Sequence, residues 1–153
     1  MPTPNFVNAL PGQKFYTLVG DGGSPETFNF FCIGTTLDSK HDSEIEDGAV
    51  LDCSDPTAMA QRVSAVKMLT WDITCSGLAD PSKLPYQRLR TAYRSGASIN
   101  IQLKHDLAGA SGGETEQGAF LVKSWQENKA DNGLVKVSFD LHGTGAPIVT
   151  PNA

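Results

Sequence analysis

Apolar and polar residues alternate with a period of two along most of this chain, and that period marks half-buried β-strands, whose successive side chains point to opposite faces. Val63, Ala65, Leu69, Trp71, Ile73 and Cys75 hold odd positions, with Ser64, Thr70, Asp72, Thr74 and Ser76 between them. Lys67 interrupts the odd series, which predicts a bend or bulge at that point. Ile99, Ile101 and Leu103 alternate with Asn100, Gln102 and Lys104, and Gly118 to Trp125 forms a further run. Val135, Val137, Phe139 and Leu141 oppose Lys136, Ser138, Asp140 and His142, so this last strand has one dry and one wet side. Asn132-Gly133 in the preceding connector predicts a turn that pairs the last two strands as a hairpin. Lys14 to Val19 and Thr27 to Ile33 flank the turn-forming run from Gly20 to Pro25 and predict a first hairpin. Phe28, Phe30 and Phe31 leave its second arm no polar face, so that arm is expected to be covered on both sides, by the second sheet or by a neighbouring subunit.

One segment has helical spacing. Tyr86, Leu89, Ala92 and Tyr93 follow the start signal Asp80-Pro81-Ser82-Lys83-Leu84-Pro85 and precede the stop at Gly96, predicting a helix over 81–95. Its other side carries the single basic patch, Lys83, Arg88, Arg90 and Arg94. From Asp38 to Asp55 the alternation vanishes: Asp38, Asp42, Glu44, Glu46, Asp47, Asp52 and Asp55 are acidic against Lys40 alone. A long acidic loop over 38–55 is expected, and loops beyond about 15 residues in a compact domain call for a functional reason. Residues 143–153, rich in Gly and Pro, are expected to form a flexible tail. The whole reads as one mainly β domain spanning 1–153.

Composition narrows the function classes. A hydrophobic share of 39% and a charged share of 19% fit a folded core rather than a disordered chain. No apolar stretch approaches the roughly 20 residues of a membrane helix, and the first residues lack the blocks of a signal peptide, so no membrane binding is expected. Cys32, Cys53 and Cys75 are odd in number and form no CxxC pair, which points to reduced structural thiols. A net charge of −5 disfavours binding to a nucleic-acid backbone, which needs clustered cations.

Each chemical motif is weaker than its structural reading. Gly109-Ala110-Ser111-Gly112-Gly113 has the spacing of a nucleophile elbow, with Asp131, Asp140 and His142 following, but the next segment reads as a strand where an elbow requires a helix. Asp42 to Gly48 misplaces the glycine of a calcium loop and lacks its closing glutamate. His41, His105 and His142 have no metal-ligand spacing, and Gly20 to Gly23 has no Lys-Ser or Lys-Thr behind it. Trp71 and Trp125 read as core or interface anchors. A carrier with Phe28, Phe30, Trp71 and Trp125 lining a barrel interior is the alternative binding role. No catalytic residue, cofactor or metal is expected.

The order of parts resembles the tail tube, or major tail, proteins of long-tailed phages and gene transfer agents. The resemblance covers nearly the whole chain and is carried by Trp71 to Gly77, by the helix leading into Ser98 to Leu103, and by Gly118 to Trp125 followed by Asn132 to Phe139 and Gly143 to Gly145. It implies two packed antiparallel β-sheets with one flanking helix, six subunits to a ring, and rings stacked by long loops and termini. It further implies a subunit assembled in the host cytoplasm into the virion tail, with DNA passing through the lumen without specific binding. Its partners would be copies of itself and the tape measure, terminator and tail tip or baseplate proteins. A type VI secretion tube, of related fold, is the closest alternative. On this reading the inter-ring loop carries Asp38, His41, Asp42, Glu44, Ile45, Glu46, Asp47, Val50, Leu51, Asp52 and Asp55. Lys83, Arg88, Arg90 and Arg94 are its expected basic partner, and Asp72, Asn100, Gln102 and Asp140 are expected to face the lumen.

Overall fold

Strands form wherever the alternation predicts them, and also where it does not. The structure, a computed structural model, describes residues 2–31, 34–129 and 133–153. After a 3-10 turn at Gly12–Lys14 come β1 (Phe15–Gly20), β2 (Phe28–Phe30), β3 (Gly34–Val50), β4 (Gln61–Leu78), α1 (Leu84–Ser95), β5 (Ile99–His105), β6 (Glu114–Lys129) and β7 (Val135–Pro151), with a second 3-10 turn at Gly109–Ser111 before β6. All pairings are antiparallel, in the order β2-β1-β5-β6-β7-β4-β3.

The fold is mainly β with one helix, as expected, but its two layers belong to one seven-stranded sheet. That sheet curls over on itself. β1 and β4 are separated by three strands in the sheet, yet Thr17 of β1 and Cys75 of β4 line the same hollow, and Phe31 meets Phe139 edge-on with centroids 5.4 Å apart. The apolar members of the alternation fill the concave side: Val19, Ile101, Leu103, Phe120, Ile73, Cys75, Val137, Phe139 and Leu141 are buried. Full burial of each large side chain contributes roughly 1.5–3 kcal/mol, which makes this concavity the main source of stability.

The helix closes one end of the concavity. It begins three residues later than the start signal, because Asp80 first accepts bonds from the Ser82 backbone N–H (3.1 Å) and hydroxyl (2.6 Å) in a turn. Gly96, in the left-handed region at φ 71°, ends it as expected. Tyr86 and Leu89 are buried, and Tyr86 packs edge-on against Trp125, which stacks on Phe139.

Two expectations require correction. Residues 38–50 are not loop but most of β3, paired with β4 from Gly34↔Gly77 to Val50↔Gln61. Residues 143–151 are not a flexible tail; they complete β7, with Thr144 opposite Ala119 and Pro151 opposite Glu114. Within the single chain, Phe31 at the end of the first hairpin's second arm is buried while Phe30 is 51% exposed. The bulge expected at Lys67 is present: Glu44 faces Met68, Ile45 faces Val66, and Lys67 has no partner between them. The turn assigned to Asn132-Gly133 and the expectations on Cys32, Ile33 and Asp131 fall on or next to residues outside the described set.

Candidate functional site

Beyond the body, β3 and β4 continue as a two-stranded arm. From Lys40 to Leu69 no side chain is buried, so packing within the chain does not explain its length. The arm's tip is ordered by two successive turns. Asp52 accepts from the Ser54 hydroxyl (2.6 Å) and N–H (2.9 Å), and Asp55 from the Thr57 hydroxyl (2.6 Å) and N–H (3.1 Å). These donors hold both carboxyls below the usual range, the hydroxyl contributing most in each.

The register gives the arm two mixed faces. Ile45, Val66 and Leu69 continue the core side, while Val50, Val63 and Met68 lie opposite, and all six are between 49 and 78% exposed. Leu51 at the tip is 65% exposed. The acids interleave with them: Asp42, Glu44 and Glu46 share the outer face, where Lys67 reaches Glu44 at 3.8 Å, and Asp47 accepts the Ser64 hydroxyl on the other. His41 stands at the arm's root, stacked on Trp71 at 5.1 Å and 3.2 Å from Glu116. Exposed apolar side chains on both faces of a paired arm distinguish it from a solvated acidic loop.

The convex face of the sheet is polar. Asp72, Asn100, Gln102 and Asp140 all lie on it, because each alternates with a core residue of its own strand. They are knitted to neighbouring strands. Asp140 accepts from Thr74 (3.0 Å) and Ser124 (2.9 Å), Asp72 pairs with His142 Nδ1 at 3.0 Å, Asn100 donates to Glu26 at 2.6 Å, and Gln102 donates to Gln117 at 3.1 Å. Such bonds link these polar side chains to their neighbours across the sheet and, for Asn100, to the β1–β2 turn.

The basic residues of α1 do not form one free face. Arg88 Nε donates to the Gly20 carbonyl at 3.2 Å and serves the first hairpin. The Arg90 guanidinium lies 5.4 Å from the centre of the Tyr86 ring. Glu127, held below the ordinary carboxylate range chiefly by the Trp125 indole N–H, also faces Arg90 and Arg94. Lys83 and Arg94 are the exposed members.

The elbow-like motif is a 3-10 turn followed directly by β6, with Ser111 exposed. Asp140 and His142 are committed to the partners already named, so they assemble no triad around it. The calcium-like segment is extended strand. Of the aromatics of the carrier alternative, Phe30 is half exposed against Tyr16, Trp71 packs edge-on against Phe120 at 4.7 Å and Trp125 fits between Tyr86 and Phe139, so these three have different neighbours. Spacing did miss one grouping: His105, Glu114 and Glu116 come together at the open end of the core. Their proximity follows from the β5–β6 register, which a single sequence does not display.

Comparison with known proteins places this architecture. The family model described as phage tail tube protein matches residues 9–149. No curated protein sequence matches the chain. Among solved structures, the chain is similar to a protein in the tail of an empty gene transfer agent particle, refined with C6 symmetry (TM-score 0.75, 17% identity, 93% of this chain and 99% of that one). It is similar also to the SPP1 tail tube (TM-score 0.73, 14% identity, 94% and 80%). A third likeness is to a chain of the sheath-tube complex of an extracellular contractile injection system (TM-score 0.62, 12% identity, 94% and 93%).

Proposed function

The chain belongs to the phage tail tube protein family, a family of structural proteins rather than enzymes, and from that premise we propose that six copies close into rings which stack into the conduit for DNA ejection. The observation that carries this reading is the arm. A paired element of this length, with no buried side chain and apolar residues on both faces, gains its stabilising contacts from other copies. A head-to-tail contact joins two different surfaces and propagates without closing, which suits stacked rings. The arm, from Asp38 to Asp55 with the facing part of β4, is the ring-to-ring contact on this reading. Lys83 and Arg94 of an adjacent copy complement its acids, and Arg88 stays with its own hairpin.

The convex face carrying Asp72, Asn100, Gln102 and Asp140 lines the lumen. Six copies of a chain of net charge −5 make an acidic ring, and an acidic, hydrogen-bonded wall repels phosphates so that DNA slides without adhering. The tape measure, terminator and tail tip or baseplate proteins meet the tube's interior and ends. Negative-stain electron microscopy of the purified protein tests the assembly, with rings or tubes expected. A particle that remains a single subunit at high concentration overturns it, and a tube map with the four polar residues on the outer wall overturns the lumen assignment.

A further inference from the structure

At the end of the core away from α1, the concave face turns from apolar to ionisable. Glu116 stands opposite Leu103 in the β5–β6 register, and His105 stands opposite Phe15 of β1, with its ring 5.0 Å from the Phe15 ring. With Glu114, they bring three potential ligand atoms within 4.8 Å of one another, and all three residues are partly buried. His105 Nδ1 is itself buried and has no hydrogen-bond partner among the described residues. Among the described residues no lysine or arginine comes within 4.0 Å of either carboxylate; His41, at 3.2 Å from Glu116, is the one basic neighbour.

We propose that His105, Glu114 and Glu116 form a site for a divalent transition metal of the zinc class. Two partly buried carboxylates brought together beside an imidazole concentrate negative charge that one divalent cation neutralises, and an imidazole with carboxylates is a zinc donor set. Ligands about 2.0–2.1 Å from a tetrahedral ion stand roughly 3.3 Å apart, so the three atoms need only small side-chain rotations to close. The backbone around them is held in advance. Asn152 donates to the carbonyls of His105 (2.7 Å) and Leu107 (2.8 Å) and accepts from Thr115 (2.8 Å), tying β5, the following turn and β6 to the end of β7. His41 orients Glu116 from behind, as an outer partner does for a ligating carboxylate. The bound ion would thereby fasten the arm's root to the body.

The test uses the full chain stripped with EDTA, titrated with zinc chloride by calorimetry and with cobalt(II) by visible absorption. One ion per chain is expected, with the thermal midpoint rising by about 5–10 °C at a zinc concentration near a hundred times Kd. His105→Asn with Glu114→Gln should weaken binding at least tenfold, while His142→Asn, on the opposite face of the sheet, should leave it unchanged. Should the double variant fail to fold, Glu114→Gln alone reads the same loss. Absence of saturable binding, equal zinc affinity in the variants, or calcium binding as tight as zinc would each overturn the site. None of these readouts depends on tube assembly.

Discussion

Trp71 occupies the neck between arm and body, with Phe120 against its edge, His41 on its face and Ser39 Oγ accepting its indole N–H at 2.8 Å. Glycine makes the space around it. A Cβ at Gly118 would stand 3.0 Å from the Trp71 ring, and one at Gly143 would stand 2.4 Å from the Trp71 carbonyl oxygen. Because that oxygen is backbone, Gly143→Ala should push β7 from β4 at a cost of about 1–3 kcal/mol. The effect should read as a lower urea midpoint with an unchanged slope, and an unaltered midpoint would show that the strands separate freely. A second residue-scale prediction concerns the thiols. Burial pushes the Cys75 thiol up to about 12, with Asp38 adding to the rise and the Thr17 hydroxyl opposing it. Alkylation needs the thiolate, so at pH 8 iodoacetamide should modify exposed Cys53 in the native protein and reach Cys75 only after denaturation. Peptide mass mapping decides this, and native labelling of Cys75 would refute its burial.

At the scale of elements, α1 is held through Tyr86, which is fully buried against Trp125. Tyr86→Ala should cost about 3–5 kcal/mol, as large aromatic truncations do, and lower the thermal midpoint followed by circular dichroism by roughly 10 °C; a loss of less than 2 °C would mean that the helix is not docked as described. The same helix shows which elements were legible. Its spacing and the alternation of β4 near Trp71, of β5 and of β7 could be read because each reflects burial of one face, the Gly96 stop because only glycine readily takes the left-handed turn, and the Lys67 bulge because it interrupts the odd apolar series. The stretch of β3 from Asp38 to Val50 and the second half of β7 could not. Their side chains are exposed or only half buried, so no apolar period marks them, and what makes them strands is backbone pairing with β4 and β6. The polar set Asp72, Asn100, Gln102 and Asp140 was found because it is the complement of the buried set. The His105, Glu114 and Glu116 cluster was hidden because its members lie on different strands and meet only through register.

For the whole molecule, body and arm have separate sources of stability. The body is held by the curled sheet and its aromatic cap, whereas the arm from Lys40 to Leu69 has no buried residue and is held by strand pairing and a few exposed side-chain contacts. Replacing residues 45–67 with Asn-Gly, between the facing pair Glu44 and Met68, should therefore shorten the arm into a tight hairpin and leave the thermal midpoint of the body within a few degrees. Assembly should fail, since the shortened chain loses Ile45, Val50, Leu51, Val63 and Val66. Exposed ion pairs are each worth about 0–1 kcal/mol, so the acids set register and association rate while the apolar residues supply most of the affinity. Lys83→Glu with Arg94→Glu should accordingly slow tube growth and change its dependence on salt without abolishing tubes. Light scattering at several salt concentrations, with electron microscopy of the end product, separates the two effects. Normal tubes from the shortened arm would remove it from the ring-to-ring contact, and unchanged salt dependence in the charge reversal would remove the helix as its partner.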